Sequence, residues 1–297
     1  MLNLHHHIKG AIYGLAIGDA LGAATEFLTP ETIRGRYGYL TEMSSSGVWQ
    51  KGETTDDTAM ALAVARGILD DPEDPIPQIG KHFLEWYESG PKDVGLTLSA
   101  VFHAYQGDWF AAARQVHLDH AGQSAGNGSL MRCLPVALAY DDLHTMEKVT
   151  WDQSKMTHYD DQAAEACVLY NRIAHRVLHG EALNPAILAE IAGTRYESVR
   201  QQPPERLPDG YVVHTLSWAL HWLLTLDSFS AVIQVAANAG YDADTVAAVA
   251  GGLCGLHGGF TVLPEDYVDS LLNKQVLDEV SDGLWHLRMS GQRVTGV

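Results

Sequence analysis

Gly10, Gly14, Gly18 and Gly22 recur at every fourth residue of the stretch IKGAIYGLAIGDALGAA. That spacing lines all four on one face of a helix. An interior glycine costs a helix about 1 kcal/mol relative to alanine, so such a face needs a compensating gain. Small residues provide one by letting a second helix approach to backbone contact. A second glycine-dense helical segment lies near the other end of the chain, with Gly251, Gly252, Gly255, Gly258 and Gly259. The two stripes predict N- and C-terminal helices that cross at the centre of one domain.

The rest of the chain is also helical in pattern. Apolar positions recur at three- and four-residue spacing in 59–69, 161–178, 211–224 and 243–257. Runs of β-branched residues with strict alternation are missing. Glycine and proline punctuate the helical segments at Gly90-Pro91, Gly126–Gly128, Pro203-Pro204 and Pro208–Gly210. No composition break marks a linker. The expectation is an all-α, single compact multi-helix domain spanning 1–297, with ten or more helices.

Charge and cysteine content narrow the partners. The chain carries 19 basic and 37 acidic residues, a net charge of −18. Affinity for phosphate backbones and anionic membranes rests on Lys and Arg, so neither nucleic acid nor membrane is an expected partner. Asp19 interrupts the N-terminal apolar run, and no stretch of about 20 uncharged apolar residues is present. Cys133, Cys167 and Cys254 are odd in number and widely spaced, as buried thiols of a reducing compartment are. A cytoplasmic monomer is expected.

The chemistry begins at GETTDDTAM. Thr55, Asp56 and Asp57 stand at the head of an apolar helix, and YDADTVAAVAGG repeats the pattern with Asp242, Asp244 and Thr245. One Asp or Thr per helix is explained by N-capping and the helix dipole. A second adjacent carboxylate adds repulsion, which hard oxygen-binding cations such as Mg²⁺ or Mn²⁺ relieve. Both readings stand on spacing alone. Glu-x-x-His and His-Glu-x-x-His are absent, which removes the helical di-iron and zinc-protease alternatives.

Five further places carry candidate chemistry, each beside a plainer role. Glu26 follows the glycine-striped helix, as a proton-transfer group or a solvated helix-end charge. Asp93 lies in the loop SGPKDVG, as a site carboxylate or an Asx-turn residue. The small-residue loop SAGNGSLMR, with Asn127, Gly128, Ser129 and Met131, suits a phosphate at a helix start or is a tight turn. It lacks the Lys of a P-loop. His158 precedes a helix, as a ligand contact or a packing histidine. Tyr211 offers a ring for stacking or for the core.

Taken in order, GAIYGLAIGDALGAATEF, TTDDTAMAL, DVG, AGNGSLMR, THYDDQAAEAC, GYVVHTL and DADTVAAVAGGLCG resemble the ADP-ribosylglycohydrolase family over about residues 8–260. The bacterial branch that includes the dinitrogenase reductase activating glycohydrolase is similar, as are the ADP-ribosyl-arginine hydrolases. The resemblance implies an all-α fold with a central cleft holding two Mg²⁺ or Mn²⁺ ions. Motif by motif it implies metal ligands Thr55, Asp56, Asp57, Asp242, Asp244 and Thr245. It implies Glu26 and Asp93 as catalytic acids, and Asn127, Gly128, Ser129, Met131, His158 and Tyr211 as substrate-binding residues. The implied activity is hydrolysis of ADP-ribose from protein side chains, with arginine as the first acceptor. Serine-linked or small-molecule conjugates such as O-acetyl-ADP-ribose are the alternative, and an inactive ADP-ribose-binding relative is the third reading. Two positions depart from the family pattern. Gly240-Tyr241 stands where Gly-Gly is usual before Asp-x-Asp-Thr, and Leu96 follows DVG where nitrogenase-linked relatives often carry a polar residue. Residues after about 260 give no family signal.

Overall fold

The computed structural model describes residues 3–294; the expected domain limits at 1 and 297 lie outside them. The described residues form fifteen α-helices and no strand. The first half holds α1 Leu4–Gly22, α2 Pro30–Tyr37, α3 Asp56–Asp70, α4 Pro75–Glu88, α5 Leu96–Ala104, α6 Trp109–Asp119, α7 Leu134–Ala139 and α8 Leu143–Lys155. The second half holds α9 Asp161–Leu178, α10 Leu183–Ile191, α11 Val212–Thr225, α12 Phe229–Ala239, α13 Ala243–Gly258, α14 Glu265–Ser270 and α15 Lys274–Val294. None of these helices is long and apolar enough to cross a membrane.

The glycine stripes do what their spacing implies. A Cβ on Gly10 would come within 3.0 Å of the Gly255 carbonyl, one on Gly14 of Gly251, one on Gly18 of Ala247 and one on Gly22 of Asp244. The partners descend as the glycines ascend, so α1 and α13 run antiparallel in backbone contact over more than three turns. Gly251 and Gly255 return the contact on Gly14 and Gly10. Both helices are buried on nearly every side, as helices apolar all round must be. They end together. Gly22 lies against the start of α13, which places the acid-rich head of α13 beside the tail of α1.

Other helices hold this pair. The Tyr170 hydroxyl of α9 donates to the Val249 carbonyl at 2.9 Å. Thr25, just beyond α1, donates to Ala237 O of α12 at 2.6 Å. The segment after about residue 260 closes the remaining side. On α15, Asp278 takes the Tyr13 hydroxyl and the Lys9 ammonium, each at 2.7 Å. Arg288, fully buried, donates to the Ala137 and Tyr140 carbonyls at 3.0 and 2.9 Å, so it caps the C-terminal end of α7. The three cysteines are free.

Candidate functional site

The start of α3 explains why two carboxylates can sit there. Thr55 is the N-cap, and its hydroxyl accepts from Asp57 N at 3.3 Å. Two further N–H groups of the helix start, those of Thr55 and Thr58, are taken by Asp19, a residue of α1. Its carboxylate accepts from Thr55 N at 3.0 Å and Thr58 N at 3.0 Å, and from the Thr58 hydroxyl. Neither Asp56 nor Asp57 serves as the N-cap, so their carboxylates are left to face the cleft. Asp19 is fully buried, and the sequence reading missed its role. The available signal was a lone charge inside an apolar, glycine-striped helix, which is costly to bury unless it is hydrogen-bonded.

The head of α13 is arranged differently. Asp242 occupies the N-cap position without a side-chain cap bond. It accepts instead from Asn127 Nδ2, which also donates to Thr215 Oγ1 at 2.9 Å. Thr245 Oγ1 donates to Asp57 Oδ1 at 3.2 Å and joins the two helix heads. Two carboxylate oxygens are left buried without any partner, Asp57 Oδ2 and Asp244 Oδ1. Ligand-type oxygens of Asp19, Asp57 and Asp244 lie within 4.8 Å of one another, as do those of Glu26, Asp242 and Asp244. Two ionised carboxylates at that separation repel by about 3.5 kcal/mol at an effective dielectric of about 20. Accordingly every acid there binds its proton tightly. Burial, then Asp93 and Asp242, push Glu26 up to about 9. Burial, then Asp93, push Asp56 up to about 7. Burial raises Asp19 and Asp242 to about 6 and Asp57 and Asp244 well above the carboxylate range.

These acids floor a cleft of about 750 Å³. Glu26, Asp56, Asp57, Asp242, Asp244 and Thr245 line it together with Asp93, and so do Asn127, Gly128, Met131 and His158. The structure brings together most of the predicted residues from segments up to about 220 positions apart. Three behave otherwise. The Thr55 hydroxyl serves α3 as its cap and is not part of the cleft lining. Ser129 is fully buried behind its loop, where its hydroxyl accepts from Ser154 at 2.8 Å. Tyr211 does not line the cleft. Its backbone bridges Gly126, and its hydroxyl donates to Gln162 Oε1 at 2.7 Å. The two residues that break the family pattern sit on the rim. Leu96 is 90% exposed. Tyr241 holds φ 56° opposite Phe27 at φ 59°, two left-handed residues whose loops exchange backbone hydrogen bonds.

A second cleft of about 680 Å³ lies over α8 and α9. Its charges are already matched, Arg172 to Glu147 at 2.6 Å and Arg195 to Glu165 at 3.7 Å. Unmatched charge distinguishes the acidic cleft from it.

Residues 2–293 match the family model of the ADP-ribosylglycohydrolases. The chain belongs to the ADP-ribosylglycohydrolase family. It is 32% identical to the ADP-ribosyl-[dinitrogen reductase] glycohydrolase of Rhodospirillum rubrum, covering 91% of each chain. It is 31% identical to the ADP-ribosylarginine hydrolase Tri1 of Pseudomonas putida (strain GB-1), over 93% of this chain and 77% of that protein. A solved structure described as an ADP-ribosylglycohydrolase-related protein complex superposes with TM-score 0.82 at 29% identity, over 97% of this chain and 99% of that one. Family membership makes the chain a hydrolase of ADP-ribose glycosidic bonds. The fold expected from helical periodicity is that of the family, and the acidic cleft lies where the family motifs converge.

Proposed function

We propose that this protein removes ADP-ribose from modified protein side chains, with arginine as the acceptor and two Mg²⁺ or Mn²⁺ ions as cofactors. The observation that carries the reading is the pair of orphaned buried oxygens, Asp57 Oδ2 and Asp244 Oδ1, in a cleft walled by the Asn127–Gly128 loop and His158. The names of the Rhodospirillum and Pseudomonas relatives support the substrate class. The all-oxygen donor set fits hard divalent cations. Asp56, Asp57, Asp242, Asp244 and Thr245 would hold them, with Thr55 supporting from its cap position. When bound, such ions supply positive charge that neutralises the acids and orients sugar hydroxyls.

The chain's own groups then divide the work. The bond from ribose C1″ to the guanidinium nitrogen breaks, a water oxygen takes its place, and the leaving nitrogen gains a proton. Glu26, which lines the cleft within reach of Asp242 and Asp244, is the group placed to donate that proton. Asp93, on the loop before α5, is the second proton-transfer group. Its Oδ1 accepts from Val94 N at 2.8 Å, which fixes the carboxylate at the cleft edge. Asn127, Gly128, Met131 and His158 receive the ADP portion.

The test is release of ADP-ribose from arginine-ADP-ribosylated and serine-ADP-ribosylated protein, with and without Mg²⁺ and Mn²⁺. Asp57→Ala and Asp244→Ala should each abolish metal-dependent release. Full activity in EDTA would sink the metal reading, and turnover of the serine conjugate alone would sink the acceptor assignment.

A further inference from the structure

Arg132 is fully buried, and no carboxylate among the described residues pairs with it. Its guanidinium sits at the C-terminal end of α8. Nε donates to Gln153 Oε1 at 3.0 Å, and Nη2 donates to the Gln153 carbonyl at 2.8 Å. The ring of Phe83 lies 4.4 Å from the guanidinium carbon. The negative end of the helix dipole and the ring face offset part of its charge. Burial pushes it down to about 9, which leaves it charged at neutral pH.

The second contact of Nη2 has a directional consequence. It donates to Thr157 Oγ1 at 2.8 Å, and Thr157 Oγ1 stands 2.9 Å from His158 Nδ1. A guanidinium has only donors, so the hydroxyl accepts from it and keeps one proton to give. Thr157 is fully buried, and His158 Nδ1 is the acceptor in reach. With Nδ1 accepting, the imidazole proton belongs on Nε2. That atom has no hydrogen-bond partner among the described residues. It faces the loop of Gly126 and Gly128, where a Cβ on Gly126 would stand 3.1 Å from it and one on Gly128 2.9 Å from Cε1. A side chain at Gly128 would collide with the ring, and one at Gly126 would crowd it.

We propose that Arg132 and Thr157 are positioning residues that fix the tautomer of His158, so that a neutral Nε2–H donor is presented to the cleft. Burial and the Arg132 charge push the imidazole down to about 3, which keeps it from carrying a charge of its own. The cleft thus gains a donor for an acceptor oxygen without a second mobile cation. A diphosphate or ribose oxygen of the ADP-ribose group is the matching chemistry, and this ligand assignment rests on the function proposed above. The relay itself does not depend on it.

The experiment is nitrogen-15 correlation spectroscopy of the full chain without ligand, with the His158 signals assigned by their loss in His158→Gln. The expected spectrum shows a protonated Nε2 and an unprotonated Nδ1. Thr157→Val should populate the other tautomer and weaken ADP-ribose binding about tenfold, the effect of losing one well-aligned bond to a charged group. Thr157→Ser should restore both. A protonated Nδ1 in the unaltered protein overturns the relay without recourse to any variant, and so does an unchanged tautomer in Thr157→Val. If the tautomer is as assigned but ADP-ribose does not bind the unaltered protein, the relay stands and the functional reading falls.

Discussion

The heads of α3 and α13 are alike in sequence and unlike in support. Each carries two Asp and a Thr, of which Asp56 and Asp57 at α3 and Asp242, Asp244 and Thr245 at α13 line the cleft. At α3 the helix start is satisfied by a carboxylate lent from another helix, with Asp19 accepting three donors. At α13 the start is pinned by backbone contact with Gly22, and its N-cap Asp is drawn sideways to Asn127. One half of the site is held by hydrogen bonds, the other by exclusion of any side chain. Local composition therefore does not tell how an acidic motif is kept in place. Conditions that weaken one kind of support should leave the other standing.

The largest effect expected acts on both halves at once. In metal-free protein the site carboxylates bind protons more tightly when folded than when unfolded, so stability falls as pH rises. The loss begins near pH 4, where unfolded carboxylates ionise. It continues through about 6 for Asp19 and Asp242 and about 7 for Asp56. Each group contributes up to about 1.4 kcal/mol per pH unit inside its window. Denaturant melts from pH 4 to 8 should show this slope in EDTA and a much flatter one with saturating Mn²⁺. A flat metal-free profile would mean that the acids are not crowded as the structure shows.

Gly18→Ala attacks the exclusion half. Its Cβ would press on the Ala247 carbonyl and the Ala248 nitrogen, which are backbone and cannot rotate away. The gain in helix propensity is about 1 kcal/mol, against an overpacking cost of about 3 kcal/mol or more at a backbone contact. Thermal unfolding should show a net loss of at least about 2 kcal/mol, with metal affinity falling because the head of α13 shifts. Asp19→Asn attacks the hydrogen-bonded half. The amide turns one acceptor into a donor among donors, for a loss of about 2 kcal/mol. Metal affinity by calorimetry should fall about 10- to 100-fold, as when a supporting partner of a ligand is removed. Tyr241→Gly is the smallest. It relieves a left-handed residue, worth about 1–2 kcal/mol, and adds unfolded-chain entropy of about 0.5–1 kcal/mol. A net gain of about 0.5 kcal/mol in a denaturant midpoint is expected.

What was legible in the chain follows the same division. A glycine at every fourth position has one strong physical use, so the α1–α13 contact could be read from spacing. The two Asp/Thr motifs were legible because close carboxylates need a reason. Asp19 was visible as an anomaly, but the donors it serves lie 36 residues away. Ser129 and Tyr211 sit in motifs that point toward the cleft. Their fates were decided by Ser154 and Gln162, partners that only the tertiary fold supplies. The motifs stop near residue 260, yet the family match runs to residue 293 and takes in α15 and Arg288; their task is packing against α1 and α7, which leaves no short motif to read.

The backbone seam between α1 and α13 also sets a clock. Gly10 meets Gly255, so α1 waits for a partner translated about 245 residues after it. At about 5–20 residues per second, roughly 10 to 50 s pass with an apolar, glycine-notched helix lacking its counterpart. The α3 half, held by Asp19 of α1, needs no residue of α13, but the site cannot be completed in that interval. Nascent chains stalled before α13 should remain open to protease along α1, and those stalled well after α13 has emerged should not.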